Sequence, residues 1–476
     1  MTDPRPSAAP RSRLDLHLLA REDVERVYAA ALDRLARDGV APACVEAREA
    51  LLAAGATRAR EGMVRLARDL VEEAAARAPK RVVLGARSRD RDVVLEPGGC
   101  LLAAGGRPAP QAQPLAGGPP RAATLSDLEG ACRLADALPD VGLVIGPPLS
   151  AAAESDGRAR LAEIGCALRS TTKHLQLTGL TSPATAAAAA DMAGALCDDD
   201  VGRRRRPPLS LLGGAETFEA AVVFARRGLP VGTFVAPPAA PPSADPEPAD
   251  LAEAVVAFVA AVLVGNAAIQ ARAPGVAYVA PVWPALAGLP ATGPDAATFI
   301  AAATQVLARA GLPAAAGAFA TSAPTSDWEA CTDGSFAALS SALAGAALVS
   351  GAGTLRGGDV FSPQQLVADA EIFSWCASIA AGIVVDDETL AVETIKRVGI
   401  GGNFLGQRHT RRHMKDVWQP RLLDRTSWDA WMAGGRQGAA EKASALAGVL
   451  LAGHEVLSLD AEPAAKLERI IATAGL

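Results

Sequence analysis

Five histidines, seven cysteines and a thin scatter of aromatic residues are the side chains from which this 476-residue chain could build chemistry. The cysteines (Cys44, Cys100, Cys132, Cys166, Cys197, Cys331, Cys376) are odd in number and widely spaced. With no CxxC and no Cys/His pair at ligand spacing, neither zinc nor an iron–sulfur cluster is expected. His17 and His454 fall on helical segments and read as surface or packing residues. His174, in STTKHLQL, falls at the entry to the second of a series of strands, where a structural role is expected. His409 and His413 lie in RHTRRH beside Arg408, Arg411, Arg412 and Lys415. A solvated basic patch and a contact for a carboxylate or phosphate both suit that cluster. GIGGNFLG (399–406) has the glycines of a phosphate loop but no strand before it and no helix opening on it, so a tight turn is expected. P-loop, GxSxG and HExxH motifs are absent from the sequence. Asp327, Glu329 and Asp333 leave open a barrel enzyme using carboxylates as acid–base or metal groups.

Aromatic placement is more informative. Phe234, Tyr278, Trp283, Phe319 and Trp328 all fall at or just past the C-terminal ends of expected strands. An aromatic-lined mouth suits a quaternary ammonium, held by cation–π attraction with apolar walls for its methyl groups. Bulky residues capping a core would give the same pattern, and the two readings stand side by side.

The elements that must position these residues follow from periodicity. Residues 14 to about 78 read as helices, with Gly39 and Gly55 as stops and Pro79 after the third. VVLGA, DVVLEPGG and CLLAAGG within 81–106 read as a small β meander, and 107–123 as an extended Pro/Gly-rich connection. From residue 124 short apolar runs alternate with Ala/Leu-rich helical stretches. The runs start at 141, 175, 209, 230, 276, 313, 346 and 382, the last being GIVVDD. That alternation means βαβ units with a parallel sheet, and eight of them favour a (β/α)8 TIM barrel over an open sheet. The expected organisation is an N-terminal helical extension over 1–123 and a barrel with C-terminal helical decoration over 124–476. The Pro-rich insert 237–250 reads as a rim loop or disordered flap.

Composition limits the function classes. Half the residues are apolar, 4% are aromatic, 21% are charged, the mean hydropathy is +0.20 and the net charge is −6. This describes a folded, Ala-rich α/β protein, not a basic polyanion binder or a disulfide scaffold. No nucleic acid or membrane partner is expected. The start, MTDPRPSAAPRSR, lacks an apolar h-region, so a cytoplasmic location with reduced thiols is expected. Residues 254–271 carry no charge, yet Ala content, Asn266 and Gln270 favour a buried helix over a membrane span.

Several segments together carry a family resemblance: AREALLAAGA, DLVEEAAARAPKRVVLGARSRDRDVVL, TLSDLEGACRLADALPDVGLVI, STTKH, GLPVG, SPQQLVADAEIF and GIVVDDETLAVETI. GGNFLGQRHT, followed by PRLLDR and WDAW (428–431), is the most specific part. Nearly end to end, the chain resembles the trimethylamine:corrinoid methyltransferase family, including members without pyrrolysine such as glycine-betaine methyltransferases. The resemblance implies a (β/α)8 barrel with extra helices that moves a methyl group from a methylated amine to the Co(I) of a corrinoid. It implies as partners a small corrinoid-binding protein, a small methylated-amine substrate and further copies of the chain, with no metal bound by the chain itself. Phe234, Tyr278, Trp283, Phe319, Trp328, Asp327 and His409 are the expected substrate-binding residues. Lys173, His174, Asp369, Glu371, His409 and Thr410 match the family pattern. Other positions depart from it: the Pro-rich insert replaces a Thr-containing segment, Val259 and Ala261 stand where polar residues would be, and ATSAPT replaces an Asp-Ser-Lys turn. A relative that binds ligand or corrinoid protein without turnover is therefore the second reading.

Overall fold

The computed structural model describes residues 18–146, 149–150, 156–197, 200–236 and 250–474. Eight strand–helix pairs follow one another along the chain: β1 Leu101–Ala104 and α1 Leu125–Ala137, then β2 Val141–Gly146 and α2 Gly157–Ser170. Next come β3 His174–Leu177 and α3 Pro183–Ala195, then β4 Leu209–Leu212 and α4 Phe218–Arg226. The second half holds β5 Val231–Gly232, α5 Leu251–Arg272, β6 Ala280–Val282, α6 Pro294–Arg309, β7 Ala314–Ala316, α7 Trp328–Leu343, β8 Leu348–Ala352 and α8 Pro363–Ala380. Adjacent strands pair in parallel in the order β5-β4-β3-β2-β1-β8-β7-β6. The ends of that row meet through a parallel bridge between Val231 and Tyr278. There Val231 N donates to Ala277 O (3.0 Å) and Val279 N to Val231 O (2.9 Å), closing the barrel.

The expected fold class holds, but the strand register along the chain moves by one. β1 is the CLLAAGG run that reads in sequence as part of a meander, so the barrel starts inside the segment assigned to the extension, before residue 124. GIVVDD at 382–387 is no strand: Ile383, Val384 and Val385 are exposed and lead into a short helix. A β-branched run adopts a strand only where a sheet edge is free to take it, and here the barrel is already closed. His174 accordingly opens the third strand, not the second.

Local chemistry sets the helix starts. Thr124 and Asp127 form a capping box on α1. Ser182–Pro183 and Ser362–Pro363 place a capping hydroxyl and an N1 proline at the starts of α3 and α8. Asp250, the one residue of the Pro-rich insert within the described set, caps α5 through Ala252 N. Among the described residues the helix long and apolar enough to cross a membrane is α5, and most of it is buried. One side packs on the barrel and the other beneath N-terminal helices 21–37, 45–53 and 68–77, which explains its apolar circumference.

Each end of the barrel has its own cover. An antiparallel hairpin, Val82–Leu84 with Val93–Leu95, sits against the N-terminal ends of the strands. Gly85 N donates to Pro207 O (2.9 Å) and Arg87 N to Thr172 O (2.8 Å). Its Val82, Leu84, Val93 and Leu95 side chains join Leu143, Ile145, Leu212, Val279, Ala315 and Leu348 in one cluster, so the base of the lumen is filled. Asp92 fixes the hairpin by accepting from Ala86 N (2.8 Å) and from Arg206 Nη2 (2.6 Å). At the other end the loops after β1 and β8 build a four-stranded sheet from residues 111–112, 121–122, 354–355 and 360–361, tied by an Arg107–Asp359 ion pair.

Candidate active site

Side chains alternate across a strand, so every second residue of a barrel strand enters the lumen. In β3 the inward series is His174 and Gln176, continuing to Thr178, while Leu175 and Leu177 pack outward among the helices. Ser210 of β4, Ser350 of β8 and Trp283, which continues the Val279–Pro281 face of β6, share this interior. None of the eight strands carries a charged residue, and His174 is their one titratable side chain.

His174 is held at the base. Nδ1 lies 3.0 Å from Gly85 O and Nε2 2.8 Å from Ser210 Oγ. A carbonyl can only accept, so Nδ1 carries the proton and Nε2 accepts from the hydroxyl. Burial pushes its pKa down to about 4, leaving a neutral ring. One step higher, Gln176 is fully buried, and neither its amide nitrogen nor its oxygen has a hydrogen-bond partner. An unpaired buried amide costs about 1–3 kcal/mol, so the lumen holds unused hydrogen-bonding capacity suited to a ligand. Trp283 is half-buried at the top of β6, its ring lying where a side chain on Gly317 would be.

The other expected site residues are not gathered here. Phe234 is buried behind the wall and packs edge-on against Phe258 of α5, with centroids 5.7 Å apart. Tyr278 is also buried on the helix side, where its hydroxyl donates to Thr233 O and burial raises its pKa. Phe319 packs beneath α7 at Gly334. Trp328 begins α7 and is 80% exposed. Asp327 caps that helix, accepting from Glu329 N (3.0 Å) and Thr325 Oγ1 (2.7 Å), and the hydroxyl holds its carboxyl below the usual range. His409 lies on the exposed C-terminal segment, with Nε2 2.8 Å from Glu388 O. Of the seven, only Trp283 meets the lumen. Gln176 is the residue the sequence reading missed, and its signal was present: in HLQLT a polar residue recurs at every second position of an apolar strand.

Three further family-pattern residues, Lys173, Glu371 and Asp369, act as latches. Lys173 Nζ donates to Ala135 O (2.6 Å) and Leu138 O (2.7 Å) at the end of α1, while burial lowers its pKa to about 7 against the pull of Asp136. Glu371 accepts from Arg421 N (2.8 Å) and Leu422 N (3.2 Å). Asp369 accepts from Gly353 N (2.8 Å) and Gln365 Nε2 (2.7 Å), supporting the loop after β8, and burial raises its pKa to about 7.

His174 and Asp369 give opposite pH dependences. The unfolded chain protonates His174 below about 6.5 while the native ring stays neutral to about 4, so stability is lost as pH falls through that window. Native Asp369 keeps its proton to about 7 while the unfolded carboxyl releases it near 3.9, so its contribution is lost as pH rises through that range. The two offset each other between pH 4 and 6.5. Urea titrations should therefore show the stability slope of His174→Gln shifted by about −1.4 kcal/mol per pH unit from wild type, and that of Asp369→Asn by about +1.4. Equal slopes for all three proteins would contradict this pairing.

The chain is similar in sequence to known proteins. The family described as Trimethylamine methyltransferase (MTTB) matches residues 6–474. A trimethylamine methyltransferase of Methanosarcina barkeri is 36% identical over 182 residues, 38% of this chain and 37% of that protein. A glycine betaine methyltransferase of Desulfitobacterium hafniense is 30% identical over 235 residues, 48% of this chain and 49% of that protein. This chain therefore spans less than half the length of either relative in alignment. The solved monomethylamine methyltransferase of Methanosarcina barkeri superimposes with a TM-score of 0.48 at 11% identity, covering 92% of this chain and 89% of its own. Because the family match runs through both the barrel and its terminal helices, the chain belongs to the trimethylamine methyltransferase family.

Proposed function

We propose that this chain transfers a methyl group from a small quaternary amine to the cobalt of a corrinoid carried by a separate protein. The observation that supports this reading best is the upper lumen itself. It offers an aromatic wall at Trp283 and a buried, unpartnered amide at Gln176, on strands that bear no charged group. Such a site suits holding and aligning a cation, and its strands bring no carboxylate or amine for acid–base chemistry. A quaternary ammonium needs none: its C–N bond breaks with the electron pair going to nitrogen, so the departing tertiary amine is neutral and requires no proton.

When bound, a corrinoid supplies a strongly nucleophilic Co(I). A macrocycle would have to approach the C-terminal ends of the strands, where glycine ends or directly follows six of the eight: Gly105, Gly146, Gly213, Gly232, Gly317 and Gly353. Trp283 would hold the ammonium over its face, Gln176 would orient the polar end of the amine, and the filled base would exclude water. The seven cysteines are all free, in keeping with a reducing, cytoplasmic setting.

The test is a spectroscopic methyl-transfer assay with free cobalamin and then with a corrinoid-binding protein, against trimethylamine, betaines and carnitine. Ligand-dependent thermal stabilisation without transfer from any of them would instead support the reading of a binder without turnover. Trp328→Ala serves as a control. With its ring outside the barrel, this variant should keep its transfer rate within about twofold of wild type, and a large loss would move the site to the outer end of α7.

A further inference from the structure

Beside the basal hairpin, under the N-terminal ends of β4, β5 and β6, lies a cavity of about 490 Å³. Its walls are the segments that lead into those strands: Pro207 before β4, Pro230 before β5, and Val276 and Ala277 before β6. Five arginines line it, and none of its described lining residues is acidic. Arg81 directly precedes the hairpin, Arg204 and Arg205 end the helix Asp200–Arg205, Arg226 ends α4 and Arg272 ends α5. Four separate segments of chain therefore bring cations to one cavity.

Charge balance decides what the cavity can take. Arg226 Nη2 and Arg272 Nε share one carboxylate, Glu46, at 3.6 and 3.0 Å, and Arg81 Nε lies 4.0 Å from Glu96. Arg204 and Arg205 are exposed and have no carboxylate partner among the described residues. Five guanidinium groups thus meet two carboxylates and three helix ends of at most roughly half a negative charge each, so more than about one positive charge is uncompensated. Guanidinium forks match the oxygens of phosphate, and several can share one group. The volume falls in the ~300–1,000 Å³ range of small-molecule sites and exceeds the needs of a lone phosphate. Side chains alternate along the hairpin strand, so Val82 and Leu84 enter the lumen while Val83 turns the other way and joins Val276 and Ala277 as an apolar wall.

We propose that this cavity binds a small soluble molecule carrying two or more phosphate groups on an organic body, and that the bound molecule braces the barrel where β5 meets β6. That seam is short: β5 has two residues, and the strands meet through the backbone hydrogen bonds of Val231. Pro230 directly precedes Val231, and Ala277 O is the carbonyl that Val231 N reaches at 3.0 Å, so the cavity wall holds both sides of the closing contact. A polyanion gripped by Arg226 on the β5 side and Arg272 on the β6 side ties the two together and relieves the repulsion among the guanidinium groups. The cavity lies at the opposite end of the barrel from the mouth, so its occupancy stands apart from the function proposed above.

Isothermal titration calorimetry of the full chain with ATP, fructose 1,6-bisphosphate, pyrophosphate and inorganic phosphate tests the proposal, with hydrogen exchange of the Val231 and Val279 amides read alongside. At about 0.15 M salt, at least one of the two organic probes is expected to bind with a dissociation constant below about 100 µM, and inorganic phosphate at least ~10-fold more weakly. The same probe should slow exchange of both seam amides at least ~5-fold. The double variant Arg204→Gln, Arg205→Gln should keep the ligand-free melting temperature, because both side chains are exposed and unpaired, and should weaken binding at least ~10-fold. Arg397→Gln with Arg408→Gln, an equal charge change outside the cavity, should leave affinity within about twofold. No binding of either organic probe up to about 5 mM would overturn the proposal. So would equal affinity in the Arg204/Arg205 double variant and wild type, or binding that leaves the seam amides unchanged. Association with phosphatidylglycerol vesicles without binding of the soluble probes would place the anion on a lipid surface and overturn it as well.

Discussion

Trp283→Ala is expected to slow methyl transfer at least ~100-fold while the barrel stays folded. The ring is half-buried at the top of β6 on its inward face, where it fills the space beside Gly317. Its removal loses a cation–π contact of about 0.5–2 kcal/mol and, more importantly, lets the ammonium shift and water enter. A displacement of about 1 Å in a near-attack arrangement is enough for a 100-fold loss. Trp283→Phe keeps an aromatic face and should recover most of the rate. Single-turnover measurements separate the effects: the loss should fall on the transfer step at saturating amine, with a smaller rise in the amine dissociation constant. An unchanged single-turnover rate in Trp283→Ala would remove this residue from the site. Gln176→Leu is a companion test, since filling the same volume without the amide should weaken binding of the amine and, by removing an unpaired buried group, leave stability equal to or above wild type.

Gly232→Ala should disrupt the barrel at its seam, with a loss above about 4 kcal/mol or failure to fold. β5 is only two residues long, and the contact that closes the barrel is the pair of hydrogen bonds made by Val231 to Ala277 and Val279. A methyl group on Gly232 would fall within the contact radius of Val279 O and of Leu212 Cδ2. The first is backbone of the neighbouring strand and cannot swing aside. Either β5 leaves β6 or the neighbouring strands separate, and both break the same two bonds. Urea unfolding with near-ultraviolet circular dichroism reads this directly. A Gly232→Ala melting temperature within about 2 °C of wild type would show that the seam yields cheaply.

Much of the architecture was readable in the sequence because buried parallel strands are continuous apolar runs, and seven of the eight expected runs are barrel strands. β1 was obscured by its own composition. Leu-Leu-Ala-Ala between glycine pairs has no β-branched residue, and its strand identity comes from neighbours β2 and β8, which are distant in sequence. The reverse error at 382–387 arose because Ile-Val-Val carries strong strand propensity whether or not a partner exists. The site was less legible for a geometric reason. The end of a strand is legible in sequence, but alternation decides which side of the wall a ring occupies. Phe234 and Tyr278 fall at outward positions and Trp283 at an inward one. Trp328, exposed, and His409, half-buried, lie on elements whose placement no strand count predicts.

The hairpin at the base has a kinetic consequence. With Val82, Leu84, Val93 and Leu95 packed into the lower lumen, the base is closed, so under the proposed function the small amine and the large carrier would share the doorway at the other end. Under that function traffic through it would be ordered: amine would enter before the carrier covers the opening, and the demethylated amine would depart after the carrier lifts away. A carrier that arrives first shuts an empty chamber. Initial rates measured at fixed amine should accordingly pass through a maximum and then decline as carrier concentration rises, and a simple hyperbola would point to a second way in.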